Sequence, residues 1–273
     1  MQLGMLLRNS GPPSNADFIA DCARAADTSG LDHVWVLDHI AIPPEESEGS
    51  GGRYVDALAT LAFVAGITAR IGIGTSVLVV PYRPALATAN WLAAIQELSK
   101  GRLSVGVGAG WMETEFVVAD VARKDRGRIT DETLAFIREC FANDHVTRHE
   151  HTFIFSPRPA QPPILVGGQG EAALRRVVAY GDGWMPTIGD PDKLRAPIVD
   201  LQTAMAAAGK PPATIIPLTQ IDLDDDAHGA EQIAALAEVG CTGVEHAARY
   251  ETVDDFQRIA EDLLRVRQRA GIG

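Results

Sequence analysis

The chain has 273 residues, 46% hydrophobic, 6% aromatic and 22% charged, which excludes disorder, coiled coil and collagen and leaves room for one large domain or two small ones. Twenty-four Lys and Arg against thirty-six Asp and Glu give a formal charge of −12. That sign is wrong for neutralising nucleic-acid phosphates or anionic lipid, so a small-molecule partner is expected.

Short Val- and Ile-rich runs alternate with stretches of helical period from end to end. The runs predict strands near 2–7, 33–37, 71–79, 103–108, 163–166, 183–186, 214–221 and 243–247. After the first, Asn15 can cap a helix over 15–29, Phe18, Ile19, Cys22 and Ala26 share a face, and Gly30 supplies a left-handed stop. The plan recurs at Val55, Leu58, Leu61, Ala62 and Ala65, and again at Leu134, Ile137 and Phe141. Later helices follow Ile233, Leu236 and Ala237 before Gly240, and Phe256, Ile259, Ala260, Leu263 and Leu264. One segment breaks the rhythm: 109–162 holds a loop, a helix and a polar stretch, 144–161, that reads as a small hairpin inserted before the fifth strand.

Eight strands each followed by a helix, without a Pro- or Ser-rich linker, give the count of a (β/α)8 TIM barrel of about 250 residues. The expected class is therefore α/β, with 1–273 as one domain and a doubly wound sheet as the alternative. In a barrel the active site lies on loops at the carboxyl ends of the strands. Cys22, Cys140 and Cys241 lie far apart with no CxxC spacing, which argues against a disulfide framework and fits a reducing cytoplasm. No run approaches the roughly 18–20 apolar residues of a membrane span and no basic leader is present, so a soluble cytoplasmic protein is expected.

Four segments could carry chemistry. Asp38-His39 ends the run LDHVWVLDH, where neighbours point to opposite faces, so one faces the mouth and the other supports it; a histidine there can shuttle a proton. In IGIGTSVLVVP, Gly72, Gly74, Thr75 and Ser76 interrupt a buried strand, marking either a bulge near a ligand or tight packing. LSVGVGAGWMETEF spaces Gly106, Gly108 and Gly110 as GxGxG, which is not the dinucleotide pattern; such glycines would let a flat ring approach the backbone, beside Trp111, Thr114 and Glu115. In PPILVGGQGEAALRR, Gly167, Gly168 and Gly170 follow a strand and precede a helix whose free amides could hold a phosphate, with a merely flexible loop as the competing explanation. His145, His149 and His151 lack the spacing of a metal site, and none is expected. DLDDD at 222–226 reads as an exposed turn that charges a helix start.

Together these segments resemble the luciferase-like monooxygenase superfamily, and within it the oxidoreductases that use the deazaflavin coenzyme F420. The matching stretches are VWVLDH (34–39), RIGIGTSVLVVPYRPALATA (70–89), ELSKGRLSVGVGAGWMETEF (97–116), RGRITDE (126–132) and PPILVGGQGEAALRRVVAYGDGWMPT (162–187). The resemblance implies a (β/α)8 barrel whose flavin-type ring lies at the carboxyl end, braced by a bulge with a cis peptide at Ser76-Val77 and by Thr75. It implies a ring-edge loop at Gly108, Ala109 and Gly110 with Thr114 nearby, a phosphate loop at Gly167, Gly168 and Gln169, and a contact from Thr187. His39 would sit at the reactive face, with Asp38 holding its geometry. The function implied is hydride transfer between F420 and a small organic substrate. FMN is the alternative, giving a two-component monooxygenase served by a separate reductase. A homodimer is expected from the same resemblance. Sugar-phosphate dehydrogenases of the family carry an acidic residue where this chain has Trp111, so a less polar substrate is expected at a mouth of Trp111, Ile40, Ile42 and His246. Arg175 and Arg176 are the candidates for an anionic cofactor tail.

Overall fold

Alternating strand and helix signals become a layered arrangement of one curled sheet and the helices on its outer face; a computed structural model describes residues 1–272. In chain order the elements are β1 (Gln2–Leu6), α1 (Ala16–Ser29), β2 (His33–Val36), α2 (Ala57–Ile67), β3 (Gly72–Val79), α3 (Ala85–Leu98) and β4 (Leu103–Gly108). There follow α4 (Glu113–Val118), α5 (Arg126–Ala142), β5 (His145–Arg148), β6 (His151–Ile154), β7 (Ile164–Gly167), α6 (Glu171–Tyr180) and β8 (Gly183–Met185). The last third holds α7 (Pro191–Ala207), β9 (Thr214–Ile215), β10 (Leu218–Thr219), α8 (Asp226–Glu238), β11 (Gly243–His246) and α9 (Val253–Arg269).

Helix limits follow local chemistry. The Asn15 side chain accepts the Phe18 N–H at 2.9 Å, and Gly30 closes α1 at φ 104°, a conformation open to glycine. Asp225 of the DLDDD run accepts the amides of Ala227 and His228 and so starts α8.

Nine parallel strands run in the order β10-β11-β1-β2-β3-β4-β7-β8-β9, while β5 and β6 pair separately as an antiparallel hairpin. The two ends of the large sheet are neighbours in sequence, separated only by Ile216 and Pro217. Leu218 N–H donates to the Pro186 carbonyl at 2.9 Å, and Glu245 N–H to the Pro217 carbonyl at 3.0 Å, so 214–219 bonds to chain on both sides. The single strand expected at 214–221 is thus split, because Pro217 has no N–H to give to a ladder.

Most of the core lies between sheet and helices, where Leu3, Val34, Ile73, Val105 and Ile164 meet Leu61, Leu92, Ile137, Leu236 and Phe256. A smaller cluster of Trp35, Leu165, Met185 and Ile216, with Leu6 and Val77 against it, fills the concave side. Trp35 occupies the space where Gly4 and Gly74 lack a Cβ, and His33 occupies that at Gly72. Packing, rather than ligand approach, accounts for the glycines at 72 and 74. Above this cluster the carboxyl ends of β2, β3, β4, β7 and β8 surround a groove.

Candidate active site

The groove has a volume of about 670 Å3 and is bounded by Asp38 and His39 after β2, the bulge of β3, the 108–111 loop, the 167–169 loop and Thr187. Its floor is the bulge. Pairing of β3 with β4 slips between Thr75 and Leu78, and the intervening Ser76-Val77 peptide is cis. Thr75 is fully buried and points away from the groove, its hydroxyl donating to the Gly106 carbonyl at 2.7 Å. Val77 projects between two glycines: a Cβ on Gly108 would lie 2.7 Å from its Cγ2, and one on Gly167 would lie 2.8 Å from its Cγ1. The space left by these glycines is therefore taken by a side chain of the bulge; a flat ring was expected at Gly108 and a phosphate turn at Gly167.

His39 stands at one wall. Its Nδ1 lies 3.2 Å from Glu115 Oε2, and the same carboxylate accepts Tyr82 Oη–H at 2.8 Å, Ile40 N–H at 2.6 Å and Ala41 N–H at 3.2 Å. Glu115 is 1% exposed. Burial alone would push its carboxyl up, but the hydrogen bonds from His39, Ile40, Tyr82 and Ala41 outweigh this and hold it at about 2. An ionised carboxylate only accepts, so His39 Nδ1 carries the proton and Nε2 is left for other partners. Tyr54 flanks the imidazole with ring centroids 5.0 Å apart, and Trp111 meets it edge-on at 6.4 Å.

Asp38 does not hold the histidine as expected. Its carboxylate accepts the Val79 N–H at 2.8 Å and a two-pronged pair from Arg83 at 2.7 Å each, and Arg83 reaches on to Asp56 at 2.8 Å. Consecutive residues on extended chain point apart, so Asp38 fastens the exit of the bulge while His39 turns to Glu115. Glu115 stands beside Trp111 and Thr114 in the sequence with nothing local to mark this role, because α4 spans six residues and is too short for a periodic signal.

The far end of the groove is cationic. Lys124, Arg126 and Arg176 line it. Arg176 is engaged by Asp131 at 2.6 Å, whereas Lys124 and Arg126 form no ion pair among the described residues. Arg175 lies on a different cavity, between α6 and α7. The 168–170 turn carries Gly168 at φ 99° and Gly170 at φ 79°. It is tied down by Trp184 Nε1–H to the Gly168 carbonyl and by Gln169 Nε2–H to Thr187 Oγ1, both at 2.8 Å.

Ser76, Val77, Gly108, Ala109, Gly110, Gly167, Gly168, Gln169 and Thr187 all border the groove, and Thr114 does not. His246 is also absent from it; it is buried, with Nδ1 accepting the Ile221 N–H at 3.1 Å. Trp111, which borders the groove, and Ile40, the residue after His39, are both exposed. Among the described residues no group of three or more His, Cys, Asp or Glu is placed to hold a metal ion, and no helix is long and apolar enough to cross a membrane.

Comparison with known proteins gives the family. A family model described as luciferase-like monooxygenase matches residues 1–269. The F420-dependent glucose-6-phosphate dehydrogenase of Kineococcus radiotolerans is 28% identical over 260 residues, which cover 90% of this chain and 75% of that protein. An F420-dependent secondary alcohol dehydrogenase, solved in complex with an F420-acetone adduct, superposes with a TM-score of 0.78 at 18% identity, covering 97% of this chain and 99% of the other. The FMN-bound oxygenating constituent of 3,6-diketocamphane monooxygenase from Pseudomonas putida gives 0.77 at 14% identity, covering 99% and 97%. At such identities the solved structures show a shared fold, and the match along 1–269 shows that the chain belongs to the luciferase-like monooxygenase family.

Proposed function

We propose that the chain is an oxidoreductase that moves a hydride between F420 and a small organic substrate, with the cofactor in the groove over Ser76-Val77. The observation that carries this reading is the conjunction, in one groove, of a bulged floor, a histidine held by an ionised carboxylate, and a cationic end. We also read the sheet as a (β/α)8 barrel, counting 214–219 as one strand interrupted at Pro217; its bonds to both neighbours support that count.

The residues fit a flavin-type cofactor. Val77 presents an apolar floor, the 167–169 turn precedes the α6 N-terminus where amides favour a phosphate, and Lys124 and Arg126 leave two cations for a longer anionic tail. That pair favours the deazaflavin over FMN. When bound, the deazaflavin supplies a ring carbon that exchanges hydride with substrate. His39 works beside it: with Nδ1 fixed on Glu115, Nε2 can take a proton from a substrate hydroxyl or return one to a carbonyl oxygen. Trp111 at the groove, with Ile40 and Tyr54 beside His39, offers apolar surface to orient substrate and exclude water.

Equilibrium titration of the purified protein with F420 and, separately, with FMN tests the proposal. Tight F420 binding, weakened by Lys124→Ala and Arg126→Ala, is expected. A preference for FMN identifies a two-component monooxygenase that needs a reductase, and binding of neither removes the function proposed.

A further inference from the structure

The nine strands of the main sheet contain three titratable side chains, His33, Glu245 and His246. His246 faces outward to the Ile221 amide, and His33 stacks on Trp35 with centroids 5.2 Å apart. Glu245 is the one acid. It is 0% exposed and lies on the concave side, where its Oε2 accepts the Ser76 hydroxyl at 2.7 Å and its Oε1 has no hydrogen-bond partner among the described residues. Strands β1 and β10 set Gly4 and Leu218 beside it in register and carry no titratable residue, and neither does β3. Among the described residues no cation acts on this carboxyl. Burial, only partly offset by the Ser76 hydrogen bond, pushes it up to about 8, so it is neutral at pH 7.

Ser76 is also the first residue of the cis peptide that floors the groove. We propose that Glu245 is a positioning residue: from beneath the groove it pins Ser76 through the hydroxyl and so sets the placement of the Ser76-Val77 floor on which the cofactor ring rests. The inference depends on the reading that a flavin-type ring occupies that groove. Glu245 reaches no cofactor or substrate itself; it acts through Ser76. As pH rises through its titration, the Ser76 bond alone cannot offset the buried charge, so water must reach the ion, and that opening loosens the floor.

Binding of F420 and FMN, followed by cofactor absorbance and fluorescence between pH 6 and 9.5, provides the test. Wild type is expected to lose about tenfold in affinity across that range, whereas Glu245→Gln, which keeps the shape and the neutral charge, stays flat and matches wild type at pH 7. Ser76→Ala should weaken binding about tenfold at pH 7, and adding it to Glu245→Ala should cost nothing more. If the Gln variant follows the wild-type pH profile, or Ser76→Ala binds normally, the proposal is overturned while the cofactor reading stands. Infrared difference spectra of the ligand-free protein separate the two further. A protonated carboxyl band at pH 7, absent from Glu245→Gln, is expected, and its absence from wild type overturns the proposal whatever binds. Wild type that binds neither cofactor overturns the functional reading, and the positioning role with it. Should Glu245→Ala fail to fold, the Gln and Ser76 variants decide the matter.

Discussion

Two carboxyls lie buried around one groove, one of them ionised and the other neutral at pH 7. Glu115 in the wall and Glu245 beneath the floor are 1% and 0% exposed, yet the first is held at about 2 and the second pushed up to about 8. Burial raises both, and Glu245 lies the deeper of the two. The partners differ as well: two backbone amides, a phenol and an imidazole converge on Glu115, and a single hydroxyl meets Glu245. Depth alone does not set the charge of a group; the donors within reach act with it. The wall is thereby a fixed negative charge that orients His39, and the floor a neutral strut.

Removing the wall charge should have the largest effect. Glu115→Ala leaves Tyr82, two amides and His39 without their acceptor, and truncating one member of such a buried network costs about 3–5 kcal/mol. A fall of that size in the free energy of urea unfolding is expected, and a loss below about 1 kcal/mol would show that water replaces the carboxylate without penalty. Glu115→Gln is the milder probe. Its carbonyl can still accept the amides, but its NH2 must face His39 or Tyr82, so the imidazole loses its preferred tautomer. Once a substrate is known, kcat/KM should drop about 100-fold, the low end for general acid–base catalysis.

The comparison can also be broken by pH, since the two groups act with opposite sign. Glu115, depressed from 4.5, contributes stability that is complete above 4.5 and lost as pH falls toward about 2. Glu245, raised from 4.5, contributes stability that is complete below 4.5 and lost as pH rises through about 8. Each has a limiting slope of about 1.4 kcal/mol per pH unit inside its window. Unfolding of Glu245→Gln measured from pH 5 to 9 should therefore gain on wild type as pH rises. Parallel curves would mean that Glu245 is ionised in the native state.

How much of this was legible in the sequence depends on the range of the interaction. The sheet runs, the α1 cap at Asn15 and the loop positions of His39, Ser76 and Gly167 rest on local patterns, and local patterns are written in consecutive residues. The partner of His39 is not: Glu115 is 76 positions away on a helix of six residues, and adjacency pointed to Asp38. Glu245 is further still from Ser76, 169 positions, and in the sequence it looked like one acid among the twelve after residue 220. Gly108 suggested the approach of a ring and Gly167 a phosphate turn, but that Val77 packs against both is a property of the folded bulge.

Those glycines supply an intermediate effect. Gly167→Ala would bring a methyl to 2.8 Å from Val77 Cγ1 and 3.3 Å from the Val107 carbonyl. Neither can withdraw without moving the floor, so a cost of about 1–3 kcal/mol is expected, together with weaker cofactor binding. Val77→Ala on the same background should recover part of the stability. A lack of recovery would place the strain elsewhere, and the packing of Val77 between two glycines would then not be what fixes the floor.

The smallest stability effect is expected at Trp111, which tests where support ends and recognition begins. The ring is 60% exposed and meets His39 only edge-on at 6.4 Å, so Trp111→Ala should shift unfolding by no more than about 0.5 kcal/mol, as surface changes do. It nevertheless borders the groove beside His39. If it serves substrate, the variant should raise KM for apolar substrates while the cofactor dissociation constant stays within about twofold. An equal loss of cofactor affinity would make the indole part of the cofactor's wall, and the apolar surface for substrate would then have to be sought in Ile40 and Tyr54.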